Sequence, residues 1–247
     1  MAQRPRNLRL IAFLVGLLII AGVAAILADH KSKPAASTTK IAQLHPTNDK
    51  TIESDCLKSY SNDHVLCKFA VSASDITKLS YQATDTLTDA HGQSKTETIM
   101  NDGTTGNISV ETSDQGKVSD VVQVGNTVYL KQSGANTWYK FTSNQPSNNN
   151  PANGLKPNFS SSSTPESQKI HYKSLGTEAC GQLTCYKYEI TRKGAPGKVT
   201  TVWFDTQDYR IQHWRSQSPN GTDDFVITYA PVSIATPSPA VNAPGTD

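Results

Sequence analysis

Hydrophobic positions along this chain fall into three regimes: one unbroken run, a short stretch of helical period, and a long stretch of period two. The run comes first. Leu10 to Ala28, LIAFLVGLLIIAGVAAILA, holds no charge and no strongly polar residue. As a helix it is about 28 Å long at 1.5 Å per residue, close to the roughly 30 Å hydrocarbon core of a bilayer. Arg4, Arg6 and Arg9 precede it, which keeps segment 1–9 in the cytoplasm and exports the remaining chain. The length of the run favours an uncleaved single-pass anchor over 10–28. The rival is a cleaved secretory signal, whose apolar region spans about 7–15 residues and ends at small ones. Val23-Ala24-Ala25 and Ile26-Leu27-Ala28 are imperfect cleavage positions of that kind. Both readings place the bulk of the protein outside the cytoplasm, either on the cell membrane or secreted.

Residues 29–50 carry Lys, Pro, Ala, Ser and Thr with no apolar period and read as a flexible stalk. Helical period follows. Ile52, Leu57 and Tyr60 form a short amphipathic turn, and Asn62 or Asp63 caps a second helix in which Val65, Leu66, Phe69 and Ala70 recur at helical spacing.

From Lys78 the period becomes two. Leu79, Tyr81, Ala83 and Leu87 share one face, with Ser80, Gln82, Thr84, Thr86 and Thr88 on the other. Strands over 94–100 and 107–112 join at Asn101-Asp102-Gly103, and strands over 118–124 and 127–132 flank the two-residue loop Gly125-Asn126. Another strand covers 137–142. Segment 143–168, with four prolines, many Asn and a Ser run, interrupts the pattern as a flexible loop; Leu155 and Phe159 are its apolar residues. Strands resume over 169–175, 184–193, 198–205, 209–216 and 223–229. The tail 231–247 alternates Pro with small residues and reads as disordered. The expected fold is therefore mainly β (α+β): a curved antiparallel sheet of half-barrel form with one or two short helices, in one domain over 51–230.

Composition changes little. The 247 residues carry a net charge of +2 and only 18% charged side chains, which gives no reason to expect a nucleic-acid partner. The four cysteines matter more. In an exported chain they predict disulfides, and proximity pairs Cys56 with Cys67 and Cys180 with Cys185. A zinc site built from all four is the alternative, but spacings of ten and four intervening residues do not match paired zinc knuckles.

Catalytic patterns are missing. There is no G-x-S-x-G, and His64, His91, His171 and His213 are scattered. His30 and His45 lie in the stalk, far from other ligands. Asp102-Gly103 lacks the ladder of an EF-hand, Gly194 to Lys198 lacks the spacing of a phosphate loop, and Asp223-Asp224 begins a strand, where neighbours face opposite ways. The reading is a non-enzyme with no catalytic, cofactor or metal residues. What the sheet does carry is a set of large apolar side chains. Leu79, Tyr81, Val122, Val128, Leu130, Trp138, Trp203 and Trp214 are the candidates to line an apolar cavity, if helices leave part of the concave face open. A filled core is the competing outcome.

Three segments carry a resemblance: VVQVGNTVYLKQSGANTWYKF (Val121 to Phe141), CYKYEI (Cys185 to Ile190) and VWFDTQDYRIQHWR (Val202 to Arg215). Their order and the W-F-D-x-x-x-x-x-I pattern resemble the bacterial lipoprotein-carrier superfamily, the LolA-like and LppX/LprG-like envelope proteins. The resemblance spans roughly 60 to 230. It implies a half-open antiparallel barrel closed by helices, holding lipid or lipoprotein acyl chains in its hollow without catalysis. The chain departs from the pattern in lacking a lipid-modified cysteine and in the weakness of its helical signal between strands. The alternative function is a structural or adhesive surface module with a filled core.

Overall fold

The computed structural model describes residues 49–60, 63–143 and 170–244. The basic segment 1–9, the anchor run 10–28, nearly all of the stalk with His30 and His45, and the loop bearing Leu155 and Phe159 lie outside them. Among the described residues no helix is long and apolar enough to cross a membrane.

Two helices open the described region, α1 (Asp49–Ser59) and α2 (His64–Ser74). The second begins where a cap allows it: the Asp63 carboxylate accepts a hydrogen bond from Leu66 N at 3.0 Å and so satisfies one orphan donor of the first turn. Leu66, Cys67, Phe69, Ala70 and Ala73 are its buried face, at the spacing an amphipathic helix requires. The Cys56–Cys67 disulfide ties α1 to α2 across a Cα separation of 5.5 Å. A single 3-10 turn, Ile76–Lys78, leads into the sheet.

The strands are β1 (Tyr81–Asp89), β2 (Ser94–Asp102), β3 (Asn107–Asp114), β4 (Lys117–Val124), β5 (Thr127–Lys131), β6 (Trp138–Thr142), β7 (Ile170–Cys180), β8 (Leu183–Arg192), β9 (Val199–Asp205), β10 (Ile211–Ser218), β11 (Gly221–Tyr229) and β12 (Ala240–Asn242). They form one curved, open sheet in the order β12-β6-β5-β4-β3-β2-β1-β11-β10-β9-β8-β7. The molecule is mainly β with two helices, as the alternation of its residues predicts.

Two meanders compose this sheet. Strands β1–β6 and strands β7–β11 each pair in sequence order, and the antiparallel β1–β11 pair, from Tyr81↔Tyr229 to Asp89↔Gly221, is the seam between them. The turn after β2 is held by Asp102, whose carboxylate accepts from Thr104 N, Thr105 N and the Thr105 hydroxyl. Those bonds, the Thr105 hydroxyl foremost, hold the Asp102 carboxyl below its usual range. Gly103 is required there: a Cβ would come within 2.2 Å of the Lys78 carbonyl oxygen. The Cys180–Cys185 disulfide clips the β7–β8 turn.

One expectation is corrected. The segment from 231 onward is not structureless: Ala240–Asn242 forms β12, parallel to β6. Trp138 N donates to the Pro239 carbonyl at 3.1 Å and Ala243 N to the Lys140 carbonyl at 2.9 Å. Proline and small residues weaken a strand signal, but the pairing uses backbone groups on an outermost strand, where proline is tolerated.

The core sits between the helices and one face of the sheet. Phe69 of α2 stacks on Phe204 of β9 with ring centroids 4.3 Å apart. Around them Leu66, Ile76, Tyr81, Ile99, Val202 and Ile211 are at most 2% exposed. Tyr188 of β8 donates its hydroxyl to both Asp63 oxygens, at 2.9 and 3.0 Å, so the residue that caps α2 also pins it to the sheet. Burial, with that carboxylate beside it, pushes the Tyr188 phenol well above its usual value.

Candidate functional site

Side chains of paired strands that stand opposite one another share a face, so the register assigns every sheet residue to the helix side or to the far side. On the helix side one row runs Ala83, Ile99, Val110, Val121, Leu130, Tyr139. The next runs Tyr81, Asn101, Ile108, Gln123, Val128, Phe141.

Along both rows the environment changes between β3 and β4. Tyr81, Ala83, Ile99 and Ile108 belong to the helix-packed core, and Val110 packs against it. No side chain of β4, β5 or β6 belongs to that core or packs on it. Val121, Val128, Leu130, Tyr139 and Phe141 are instead only half-buried. These five form an apolar surface that continues the rows of the core but lies outside it. Neighbouring strands lie about 4.8 Å apart, so the row from Val110 to Tyr139 is roughly 14 Å wide.

The residues expected from the sequence to line a cavity divide into three groups. Val128 and Leu130 stand on the apolar surface outside the core. Tyr81 is fully buried in the filled core, its ring 6.3 Å from that of Tyr229. Trp214 packs against that core from the helix side, and Leu79 is half-buried just before β1. Val122, Trp138 and Trp203 point the other way. Val122 is 6% exposed on the far face. Trp138 lies there with Lys131 5.7 Å from its ring centre. Trp203 is flanked by Lys187 at 5.1 Å and by His213, stacked at 4.3 Å, and its indole N–H donates to Glu178 at 2.5 Å. Those three are therefore removed from a common lining: one-residue parity sends them to the opposite side.

The far-face cluster around Trp203 is a network of charges. Lys187 pairs with Glu178 at 3.0 Å, and His213 Nε2 contacts Asp224. The Trp203 bond, then Lys187, draws the Glu178 carboxyl below its usual range. Among the described residues no three His, Cys, Asp or Glu side chains gather to hold a metal ion. An open depression of about 520 Å³ lies over α1, lined by Lys50, Glu53, Ser54, Leu57 and Lys58. Its charged rim does not suit an apolar ligand.

Sequence reasoning missed a buried carboxyl group of this sheet. Asp85 is 7% exposed and stands on the helix side, in the same parity as Tyr81, Ala83 and Leu87. That parity was readable: the alternation that turns Tyr81 inward turns Asp85 inward too.

No family model matches the chain, and no curated protein matches it in sequence. Among solved structures it is similar to lipoprotein LppX from Mycobacterium tuberculosis, at 12% identity over 70% of this chain and 100% of that one, with a TM-score of 0.44. LprF from Mycobacterium bovis is similar at 14% identity over 70% and 96%, with a TM-score of 0.43. A LolA superfamily protein from Nitrosomonas europaea is similar at 9% identity over 67% and 93%, with a TM-score of 0.26. Likeness of this degree carries no argument about activity, which rests on the chain's own surfaces.

Proposed function

We propose that this protein is a membrane-tethered, extracytoplasmic binding protein that holds acyl chains of a lipid or lipoprotein, without catalysis. One observation carries the reading: a half-buried apolar surface, Val121, Val128, Leu130, Tyr139 and Phe141, continues the rows of a helix-packed core without belonging to it. Exposed apolar surface contiguous with a core is where an apolar ligand gains most from leaving water, at about 25 cal/mol per Å² buried. The two disulfides agree with an oxidising compartment. The run 10–28 supplies the tether.

The competing reading, a structural or adhesive surface module, draws on the filled core beneath the helices. Titration of the full chain with a fluorescent fatty-acyl probe separates the two. The carrier reading expects saturable uptake that Leu130→Asp abolishes while the thermal midpoint stays within a few degrees. No uptake by a natively folded, delipidated chain, or uptake indifferent to Leu130→Asp, rejects it.

A further inference from the structure

The β1–β11 seam contains carboxyl groups that the binding reading leaves unused. Asp85 of β1 faces Phe225 of β11, and Leu87, two residues along, faces Asp223. Asp85 and Asp223 are thus diagonal neighbours on the helix side of the seam, about 7–8 Å apart at the backbone and within reach of each other's side chains. A hydrogen bond between the two carboxyls requires a proton on one of them. Oδ1 of each is buried without a hydrogen-bond partner. Directly across from Asp85 stands a third carboxylate, Glu97 of β2, 6% exposed and paired with Lys95 at 2.5 Å.

We propose that Asp85 and Asp223 share one proton and so form a pH-sensitive latch on the seam that joins the two meanders of the sheet. Protonated, the pair is a hydrogen bond between β1 and β11. Ionised, it is two adjacent buried charges of one sign, and the seam is where they repel.

Every charged group around the pair bears on this. From β2 come Glu97, which opposes ionisation of both, and Lys95, which favours ionisation of Asp85. On β11 the adjacent Asp224 opposes ionisation of Asp223, and from the turn before β9 Lys198 favours it. Burial is the largest influence on each, followed for Asp85 by the Asp223 charge, and Asp85 is pushed up to about 8. Asp223 is also raised, by burial, although accepting the bond from Asp85 works against that rise. The sign follows: a carboxyl raised in the folded state binds a proton that the unfolded chain sheds near pH 4. Its contribution is complete below that pH and is lost as pH rises toward and through about 8.

Thermal unfolding and amide exchange of the full chain across pH 5–9 test the latch. The wild-type midpoint is expected to fall by more than about 5 °C over that range, with exchange in β1 and β11, corrected for its intrinsic pH dependence, rising before exchange in β3–β5. Asp85→Asn supplies a permanent N–H donor to Asp223 and flattens both trends; Asp223→Asn removes the acceptor's charge and flattens them as well. Infrared spectroscopy of the wild type needs no variant to fold: a protonated-carboxyl C=O band is expected at pH 7 and is lost on alkaline titration. Its absence at pH 7, or a pH slope unchanged in both variants, overturns the latch. These readouts need no ligand, so their failure leaves the acyl-binding proposal standing, and the reverse also holds.

Discussion

Strands β8–β11 and strands β4–β6 are built alike: antiparallel, joined by short turns, and apolar on the side that the helices share. They differ in burial. Phe204, Val202, Ile211 and Phe225 meet Phe69, Leu66 and Ile76 and are at most 3% exposed. Val121, Leu130 and Tyr139, in a row continuous with that core, lie outside it and stay half-buried. An apolar strand face is thus ambiguous by itself. It becomes core where a helix is fixed above it and stays half-buried beyond that core. In this protein the fixing is specific: the Cys56–Cys67 bridge, the Asp63 cap and its bond from Tyr188, and the Tyr60 hydroxyl donating to the Ile170 carbonyl at 3.1 Å all hold α1 and α2 over the β7–β11 meander.

That contrast can be broken in graded steps. Phe204→Ala removes the ring against which Phe69, Tyr186 and Tyr188 pack and is expected to cost about 3–5 kcal/mol in denaturant unfolding. Replacing Cys56 and Cys67 together by alanine opens a loop with a sequence separation of 11 and is expected to cost about 3 kcal/mol on a loop-entropy estimate. The separation of 5 at Cys180–Cys185 gives about 2 kcal/mol on the same scale. An equal loss from both bridges would contradict the loop-length scaling behind these two figures. Asp63→Ala deletes the cap and leaves the Tyr188 hydroxyl without its carboxylate; about 1–2 kcal/mol is expected, visible as lower helicity together with a lower midpoint. Leu130→Ala outside the core is the smallest change, under about 1 kcal/mol, because a half-buried side chain leaves little cavity. A loss at Leu130 as large as at Phe204 would mean that the two halves do not differ.

Much of this contrast was legible in the residues, and the illegible part has a physical reason. Asp63 before Val65, Leu66 and Phe69 announces the second helix, and Gly125-Asn126 announces its hairpin. The pairing of cysteines followed from proximity. Which apolar strand residues share a face did not follow, because parity depends on register: Trp203 and Phe204 are adjacent and equally aromatic, yet one joins a charged cluster with Glu178 and the other the core. The partner of each strand across the seam was hidden as well, since β1 and β11 are brought together only by the closing of two separate meanders. The pairing of Asp85 with Asp223 depends on that contact and is invisible to any local pattern. Strand β12 escaped notice because three residues paired through their backbone leave no periodic trace.

The measurement that bears most directly on the difference between the two halves is photolabelling of the full chain with an acyl chain carrying a diazirine near its terminus, followed by peptide mapping. The account predicts labels concentrated on β4–β6, at Val121, Leu130 and Tyr139, and their loss in Leu130→Asp. Labels concentrated on β8–β11, or spread evenly over both halves, would contradict it.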